Sequence, residues 1–370
     1  MDTSAESQPT YLAICYDFDK TLTPTDMQNQ GFIQAVNKDV NEFWQESNAL
    51  AKNNDMDQNL AYMYSMQNES LGKLLFTKDK LTNLGNNIEL YKGVKRWFDR
   101  INRYAKKHNI VVEHYIISSG LKEIIEGTPI ATHFKKIYAS SFLYDKNGLA
   151  VWPAQVVNYT DKTQYLFRIE KGVLDVNDQS VNNYICPSKI RIPFRNIIYI
   201  GDSATDIPCM KLVNINGGHS IGVFNPETNN KEKVFHLLEE NRIRYFAEAD
   251  YSNGSNLDTL IKRIIDRTET NEVLEQMHFQ CVSTRDKETE AQDTASRARR
   301  LLINRLEDSR TFATTHSVIN ELEKISIAEW TDFDKKRLRE IKENNSQVSQ
   351  IQNDPDIKRF YNSLDNERNF

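Results

Sequence analysis

Four short apolar runs set the strongest limit on the fold of this chain. They are Tyr11–Tyr16, Ile110–Ile117, Asn196–Ile200 and Ser220–Phe224, all rich in Ile, Val and Tyr. Runs of this length without polar alternation fit strands buried on both faces, as in a parallel sheet. Segments with helical spacing lie between most of them, among them Leu121–Ile125 and Thr163–Ile169. Alternating strands and helices predict an open, doubly wound, mostly parallel α/β sheet.

The first two runs are about ninety residues apart, where a simple strand–helix–strand crossover needs only a few tens. The intervening stretch from Asp26 to Leu90 has no proline. Its apolar groups, Phe32, Ala35 and Val36, then Leu60, Met63 and Tyr64, then Leu71, Leu74 and Leu75, have helical spacing. A small helical domain is expected there. Tyr138–Leu143, the turn signal Asp145-Lys146-Asn147-Gly148 and Leu149–Val157 predict a β-hairpin. After Arg267 the chain is charged and lacks glycine, and Leu302, Leu306, Val318, Leu322 and Ile325 recur at helical intervals. The expected organisation is a core at 1–22 and 93–266, a helical insertion at 23–92 and a C-terminal helical region at 267–370. Within that region Arg297, Arg299, Arg300 and Arg305 read as a solvated face, and Glu343–Asn353 is polar enough to be mobile.

Composition narrows the class. Hydrophobic residues make up 39% of the 370, which excludes a disordered chain, and a net charge of -5 lacks the basic excess of a nucleic-acid binder. The N-terminus, Met1–Thr10, is polar, and no apolar run is long enough to span a bilayer. A cytoplasmic protein with neither a nucleic-acid nor a membrane partner is expected. Cys15, Cys186, Cys209 and Cys281 are too scattered for a zinc or dithiol motif and read as reduced thiols.

The chemistry sits at the ends of the runs. The first runs into Asp17-Phe18-Asp19-Lys20-Thr21, and the third into Gly201-Asp202-Ser203-Ala204-Thr205-Asp206. Ligands in open α/β sheets bind beyond the carboxyl ends of the strands, so these acids stand where a site forms. Grouped carboxylates repel unless a cation lies among them, and a hard divalent ion such as Mg2+ suits oxygen donors of this kind. The second run ends at Ser118-Ser119-Gly120, where hydroxyls and a helix start can receive an anion; a plain serine helix cap would look the same.

These segments, in this order, resemble the haloacid dehalogenase-like hydrolases, and among them the phosphoserine-phosphatase-like members. The family motifs are Asp-x-Asp-x-Thr, a Ser or Thr after the second strand, a Lys, and Gly-Asp-x-x-x-Asp. The resemblance spans roughly Tyr11–Ile265. It implies a Rossmann-like doubly wound sheet with an inserted helical cap, and a phosphatase working through an aspartyl-phosphate intermediate. Asp17 is then the nucleophile and Asp19 the acid and base, an acid that dehalogenase relatives lack. Mg2+ would be held by Asp17, the backbone carbonyl of Asp19 and Asp202, with Asp206 a ligand through water or an orienting group. Ser118 would bind the phosphoryl group, with Ser119 its neighbouring rival. Lys162 is the expected family lysine over Lys171 and Lys189, because it opens the helix after the hairpin. The cap would set the choice of a small phosphorylated metabolite, its candidate residues being Glu46, Asp55, Asp57, Glu69 and Lys73. Two alternatives stay open: a phosphotransferase using the same intermediate, and a binding or regulatory protein that engages a protein partner through its C-terminal helices.

Overall fold

The computed structural model describes residues 9–202, 204–290, 294–326 and 329–365. Seven strands form one sheet: β1 Thr10–Tyr16, β2 Ile110–Leu121, β3 Phe134–Tyr144, β4 Ala150–Gln155, β5 Ile197–Gly201, β6 His219–Phe224 and β7 Tyr245–Glu248. Their order is β4-β3-β2-β1-β5-β6-β7, and every pairing is parallel except β3 with β4. Strand order reverses at β1, which pairs with β2 on one side and β5 on the other. The doubly wound α/β sheet is the one expected, with one antiparallel edge strand.

The two faces of β1 show why an uninterrupted apolar run is needed. Leu12, Ile14 and Tyr16 belong to one buried cluster, with Trp97, Phe98 and Ile101 of the helix Val94–Lys106. Ala13 and Cys15 belong to the opposite cluster, with Tyr165, Leu166 and Ile169 of the helix Asp161–Lys171 and Met210 and Val213 of the helix Ile207–Ile215. Successive side chains of a strand point to opposite faces, so helices on both sides require apolar residues at both parities. The hairpin turn follows its sequence signal. Asp145 Oδ1 accepts from the backbone N–H groups of Asn147 and Leu149 at 2.8 and 2.9 Å, and Gly148 takes φ +77.

Between β1 and β2 lie a short 3-10 turn and five helices: Phe32–Ala35, Val40–Asn53, Gln58–Ser70, Lys78–Gly85 and Val94–Lys106, the first four of them in the inserted stretch. The third apolar group is an exception to the helical reading. Leu71–Leu75 form turns after the helix ends; Gly72 has φ +70, and Leu71 and Leu75 are exposed. A glycine inside the leucine group, directly after the C-cap Leu71, ends a helix that spacing alone would continue.

The chain divides into two compact units, Met1–Leu274 and Glu275–Phe370, and the helix Asn256–Glu290 runs through the division. The second unit contains the helices Thr294–Glu307, Phe312–Leu322, Asp332–Asn344, Ser346–Gln350 and Pro355–Asp365. Its own core includes Leu306, Val318, Leu322, Leu338 and Ile357, all fully buried. Two expectations fail in this unit. Arg299 is 5% exposed and pairs with Glu329 and Asp334, so the arginine cluster is not wholly a solvated face. Glu343–Asn353 is folded. Asn345, also 5% exposed, donates to the carbonyls of Leu306, Glu307 and Ser309 and accepts from the N–H groups of Gln347 and Val348. One amide thus closes one helix and caps the next, a polar role that composition cannot separate from a loose tail. No helix among the described residues is long and apolar enough to cross a membrane.

A buried chain of hydrogen bonds fixes the end of β1. Trp97 Nε1 donates to Tyr16 Oη at 2.8 Å, Tyr16 Oη meets His114 Nδ1 at 2.9 Å, and His114 Nε2 meets Asn102 Oδ1 at 2.9 Å. Burial, helped by His133, holds His114 down to about 3, so its ring is neutral and the chain runs in one direction, with Nε2 carrying the proton. Tyr16→Phe leaves both Trp97 Nε1 and His114 Nδ1 without a partner in the core. It should lower unfolding stability by about 1–3 kcal/mol. Urea denaturation followed by tryptophan fluorescence reads this out, and a loss under about 0.5 kcal/mol would show that the chain of bonds does not hold this strand.

Candidate active site

The sheet delivers its acids to one edge. Asp17 directly follows β1, its N–H still bonded to Ile200 O of β5 at 2.9 Å, and Asp202 directly follows β5. Beyond Asp17 the chain turns sharply: Phe18 O accepts from the N–H groups of Thr21 and Leu22, and Lys20 adopts φ +58. A left-handed non-glycine residue is locally unfavourable and persists where the surroundings demand it. Here it keeps Asp19 beside Asp17, with Asp19 Oδ1 accepting from Met27 N at 2.7 Å. Thr23 supports the loop through bonds to Thr25 O and Phe18 O.

Lys162, in the first turn of the helix Asp161–Lys171, is fully buried. Its Nζ donates to Asp17 Oδ1 at 2.9 Å and to Asp206 Oδ1 at 2.7 Å, and Asp206 Oδ1 also accepts from Tyr199 Oη at 2.8 Å. The rivals lie elsewhere: Lys171 donates to the carbonyls of Val181 and Asn183, and Lys189 ends a 3-10 turn. Ser118 is 1% exposed, and its Oγ accepts from Gly120 N at 3.0 Å. That leaves the hydroxyl proton of Ser118 available to donate. Ser119 Oγ is buried and has no partner among the described residues.

Two glycines are required by close approach. A Cβ on Gly120 would lie 2.2 Å from Met27 Cε and 2.8 Å from Asp19 Oδ2. A Cβ on Gly201 would lie 2.6 Å from Asp206 Oδ2. Any larger residue would displace the acids.

A cleft of about 460 Å3 opens over these groups. Asp17, Asp19, Asp202, Ser118 and Ser119 line it on the sheet side, together with Lys20, Asp26 and Lys233. Gln28, Trp44, Asn48, Gln58, Asn59 and Tyr62 line it on the side of the insertion. Glu46, Asp55, Asp57, Glu69 and Lys73, the charged residues the sequence offered for substrate choice, are not among its lining. Glu69 pairs with Lys38 and Lys73, Glu46 also with Lys38, and Asp57 caps the helix Gln58–Ser70. The neutral lining residues carry no motif, and only the folded insertion reveals them. A groove of about 500 Å3 in the second unit is slightly larger, but its walls mix Glu307, Glu340, Arg310, Lys336 and Arg337 with none of these motifs. His219 begins β6, at the opposite edge of the sheet, and Asp250 caps its own turn through Ser252 N.

The electrostatics of the cleft are unbalanced. Burial first, then Asp206, raises Asp17 to about 7 even though Lys162 opposes them. Burial raises Asp202 to about 6, with Lys233 opposing and Asp206 adding. Asp19 is held well above the ordinary carboxylate range by burial, then by Asp26 and Asp17. Lys162 is held above its ordinary value, since Asp17 and Asp206 outweigh its burial. Asp17, Asp19, Asp26, Asp202 and Asp206 face Lys20, Lys162 and Lys233, an excess of two negative charges when all are ionised. One carboxylate oxygen each of Asp17, Asp202 and Asp206 lies within 4.8 Å of the others. All-oxygen donors with that excess fit a hard divalent cation.

A sequence model of the haloacid dehalogenase-like hydrolases matches residues 14–211, more than half of the chain. An uncharacterized protein of Borreliella burgdorferi is 29% identical over 276 residues, which cover 66% of this chain and 93% of that protein. Among solved structures, a HAD-family hydrolase from Salmonella enterica serovar Typhi matches with 16% identity and a TM-score of 0.45, over 70% of this chain and 72% of that one. A probable phosphoserine phosphatase from Vibrio cholerae matches with 11% identity and a TM-score of 0.44, over 72% of this chain and 69% of that one. With its motif segments gathered at one sheet edge inside the matched span, the chain belongs to the haloacid dehalogenase-like hydrolase family.

Proposed function

We propose that this protein is a Mg2+-dependent phosphatase that hydrolyses small phosphomonoesters through an aspartyl-phosphate intermediate, an acyl phosphate on Asp17. The observation that carries the reading is the fully buried Lys162 held between Asp17 and Asp206, behind a cleft that Asp17 lines together with Asp19 and Ser118. A carboxylate oxygen of Asp17 forms a bond to phosphorus while the ester P–O bond breaks. The leaving oxygen takes a proton from Asp19, whose raised affinity for protons suits that role. Asp19, now ionised, then removes a proton from water as the water oxygen attacks phosphorus and the bond to Asp17 breaks. Lys162 keeps Asp17 in place and offsets charge on the phosphoryl oxygens. Ser118 donates its free hydroxyl proton to the phosphoryl group, and the partnerless Ser119 Oγ offers a second donor.

Asp17, the Asp19 carbonyl and Asp202 would hold Mg2+, which when bound offsets repulsion between the nucleophile and the phosphoryl oxygens. Asp206, occupied by Lys162 and Tyr199, suits an orienting role. The helical segment 23–92 acts as the cap that walls off the cleft.

Asp17→Asn should reduce Mg2+-dependent phosphate release from p-nitrophenyl phosphate by about a thousandfold or more, with an unchanged circular dichroism spectrum. Asp19→Asn should reduce it by about 100- to 10,000-fold. Radiolabelled substrate should leave a hydroxylamine-labile label on the wild type and none on Asp17→Asn. Full activity in Asp17→Asn would remove the nucleophile assignment, and product that grows with added alcohol in place of free phosphate would make the enzyme a phosphotransferase.

The raised acids also set a pH dependence. The folded-state pKa of Asp17 lies above its ordinary 3.8, so without metal the fold holds a proton there that the unfolded chain has lost. Its contribution to metal-free stability therefore falls as pH rises from about 4 to about 7, and that of Asp202 falls from about 4 to about 6. Mg2+ must displace those protons, so its affinity should rise up to about tenfold per pH unit between pH 6 and 7 and level off above. Calorimetric titration at pH 6, 7 and 8 measures this, and a pH-independent affinity would place the metal away from Asp17.

A further inference from the structure

The geometry points to the chemical class of the substrate: a monophosphate whose leaving group is an uncharged, hydroxyl-bearing molecule such as a sugar or polyol, not a phosphorylated amino acid. This rests on the phosphatase reading above and concerns the wall of the cleft opposite the acids.

An amino-acid leaving group carries a carboxylate and an ammonium, and taking either out of water requires a counter-charge. The insertion brings one charged residue to the lining, Asp26, and it is already paired with Lys20; Gln28, Trp44, Asn48, Gln58, Asn59 and Tyr62 are all neutral. The lysines on the sheet side are already engaged: Lys162 with Asp17 and Asp206, Lys20 with Asp26 at 2.7 Å, and Lys233 with Asp202 at 3.4 Å.

What the wall does supply is suited to hydroxyl groups. Gln28 lines the cleft although it is only 2% exposed, and its side-chain amide has no hydrogen bond to any described residue. A primary amide both donates and accepts, which matches a hydroxyl. Asn48 and Gln58 add amides at the more exposed part of the wall. Trp44 and Tyr62 meet edge-on, with centroids 6.0 Å apart at 62°. Their polar ends are occupied, Trp44 Nε1 by Asn29 Oδ1 at 2.8 Å and Tyr62 Oη by Ser119 O at 2.7 Å, so they present ring surface to the cleft. Aromatic surface against C–H groups, with amides beside it for the hydroxyls, recognises a sugar or polyol.

The test uses the full-length enzyme with Mg2+ and compares kcat/KM for p-nitrophenyl phosphate, glycerol and hexose monophosphates, O-phosphoserine and phosphoethanolamine. The best sugar or polyol phosphate should exceed O-phosphoserine by about a hundredfold or more. Gln28→Leu should raise KM for that substrate about tenfold relative to p-nitrophenyl phosphate, with a smaller effect on kcat. Asn48→Leu, at an exposed position that does not threaten folding, should shift the same ratio in the same direction. Hydrolysis of p-nitrophenyl phosphate with O-phosphoserine or phosphoethanolamine equal to or better than every sugar and polyol ester would overturn the inference. An unshifted KM ratio in both variants would also overturn it. If no ester is hydrolysed, p-nitrophenyl phosphate included, the phosphatase reading itself fails and takes this inference with it.

Discussion

A single ammonium group ties the chemistry to the fold. Lys162 Nζ has no contact with solvent, and its two carboxylate partners follow different strands, Asp17 after β1 and Asp206 after β5. A buried lysine is tolerated only with such partners, because desolvation alone would strip its proton. The helix Asp161–Lys171 must therefore begin at this sheet edge, and its packing through Tyr165, Leu166 and Ile169 onto the face that carries Ala13 and Cys15 holds it there. Removing either acid would leave Lys162 with a single carboxylate partner in a dry core. The same contact thus serves stability and the positioning of Asp17.

The pairing is incomplete on purpose only in the physical sense that one cation cannot match several acids. Asp17 remains raised to about 7 with Lys162 2.9 Å away, which shows that burial and neighbouring carboxylates outweigh a direct ion pair. A site balanced by lysines alone would bind neither a divalent ion nor a dianionic ester well. Here the acids gather at an edge where the strand order reverses and helices start, and the remaining negative charge makes room for a metal. Stability is given up locally where binding regains it.

The sheet was legible because its signal is local: a strand buried on two faces must be apolar at both parities, and Tyr11–Tyr16 and Asn196–Ile200 are. The acids were legible because they follow those runs directly, and Lys162 because a hairpin signal ends just before its helix. Other features depend on what the chain meets after folding. Leu71–Leu75 has helical spacing but follows a helix that Gly72 ends. Arg299 and Asn345 look like surface residues in sequence, and their burial depends on partners about thirty to forty residues away. The neutral wall of the cleft had no signal at all. Charged residues draw attention as candidates for recognition, yet Glu46, Glu69 and Lys73 satisfy one another through Lys38 and the helix surface.

That contrast separates two kinds of constraint in the site. Asp17, Asp202 and Lys162 are placed by strand register and helix docking, so a change in their positions would require a change in the sheet itself. Gln28 sits in the 3-10 turn Met27–Gln30, Asn48 and Gln58 sit on the helices Val40–Asn53 and Gln58–Ser70, and their amides make no hydrogen bond to a described residue. Replacing one of them disturbs little of the core, while it alters which groups of a leaving molecule find a partner. The insertion side of the cleft can therefore change without moving Asp17, which depends on Lys162 and the β5 backbone and on none of these amides. One connection between the two sides does exist. Tyr62 Oη donates to the carbonyl of Ser119, so the aromatic wall is fastened to the strand end that carries Ser118 and Ser119.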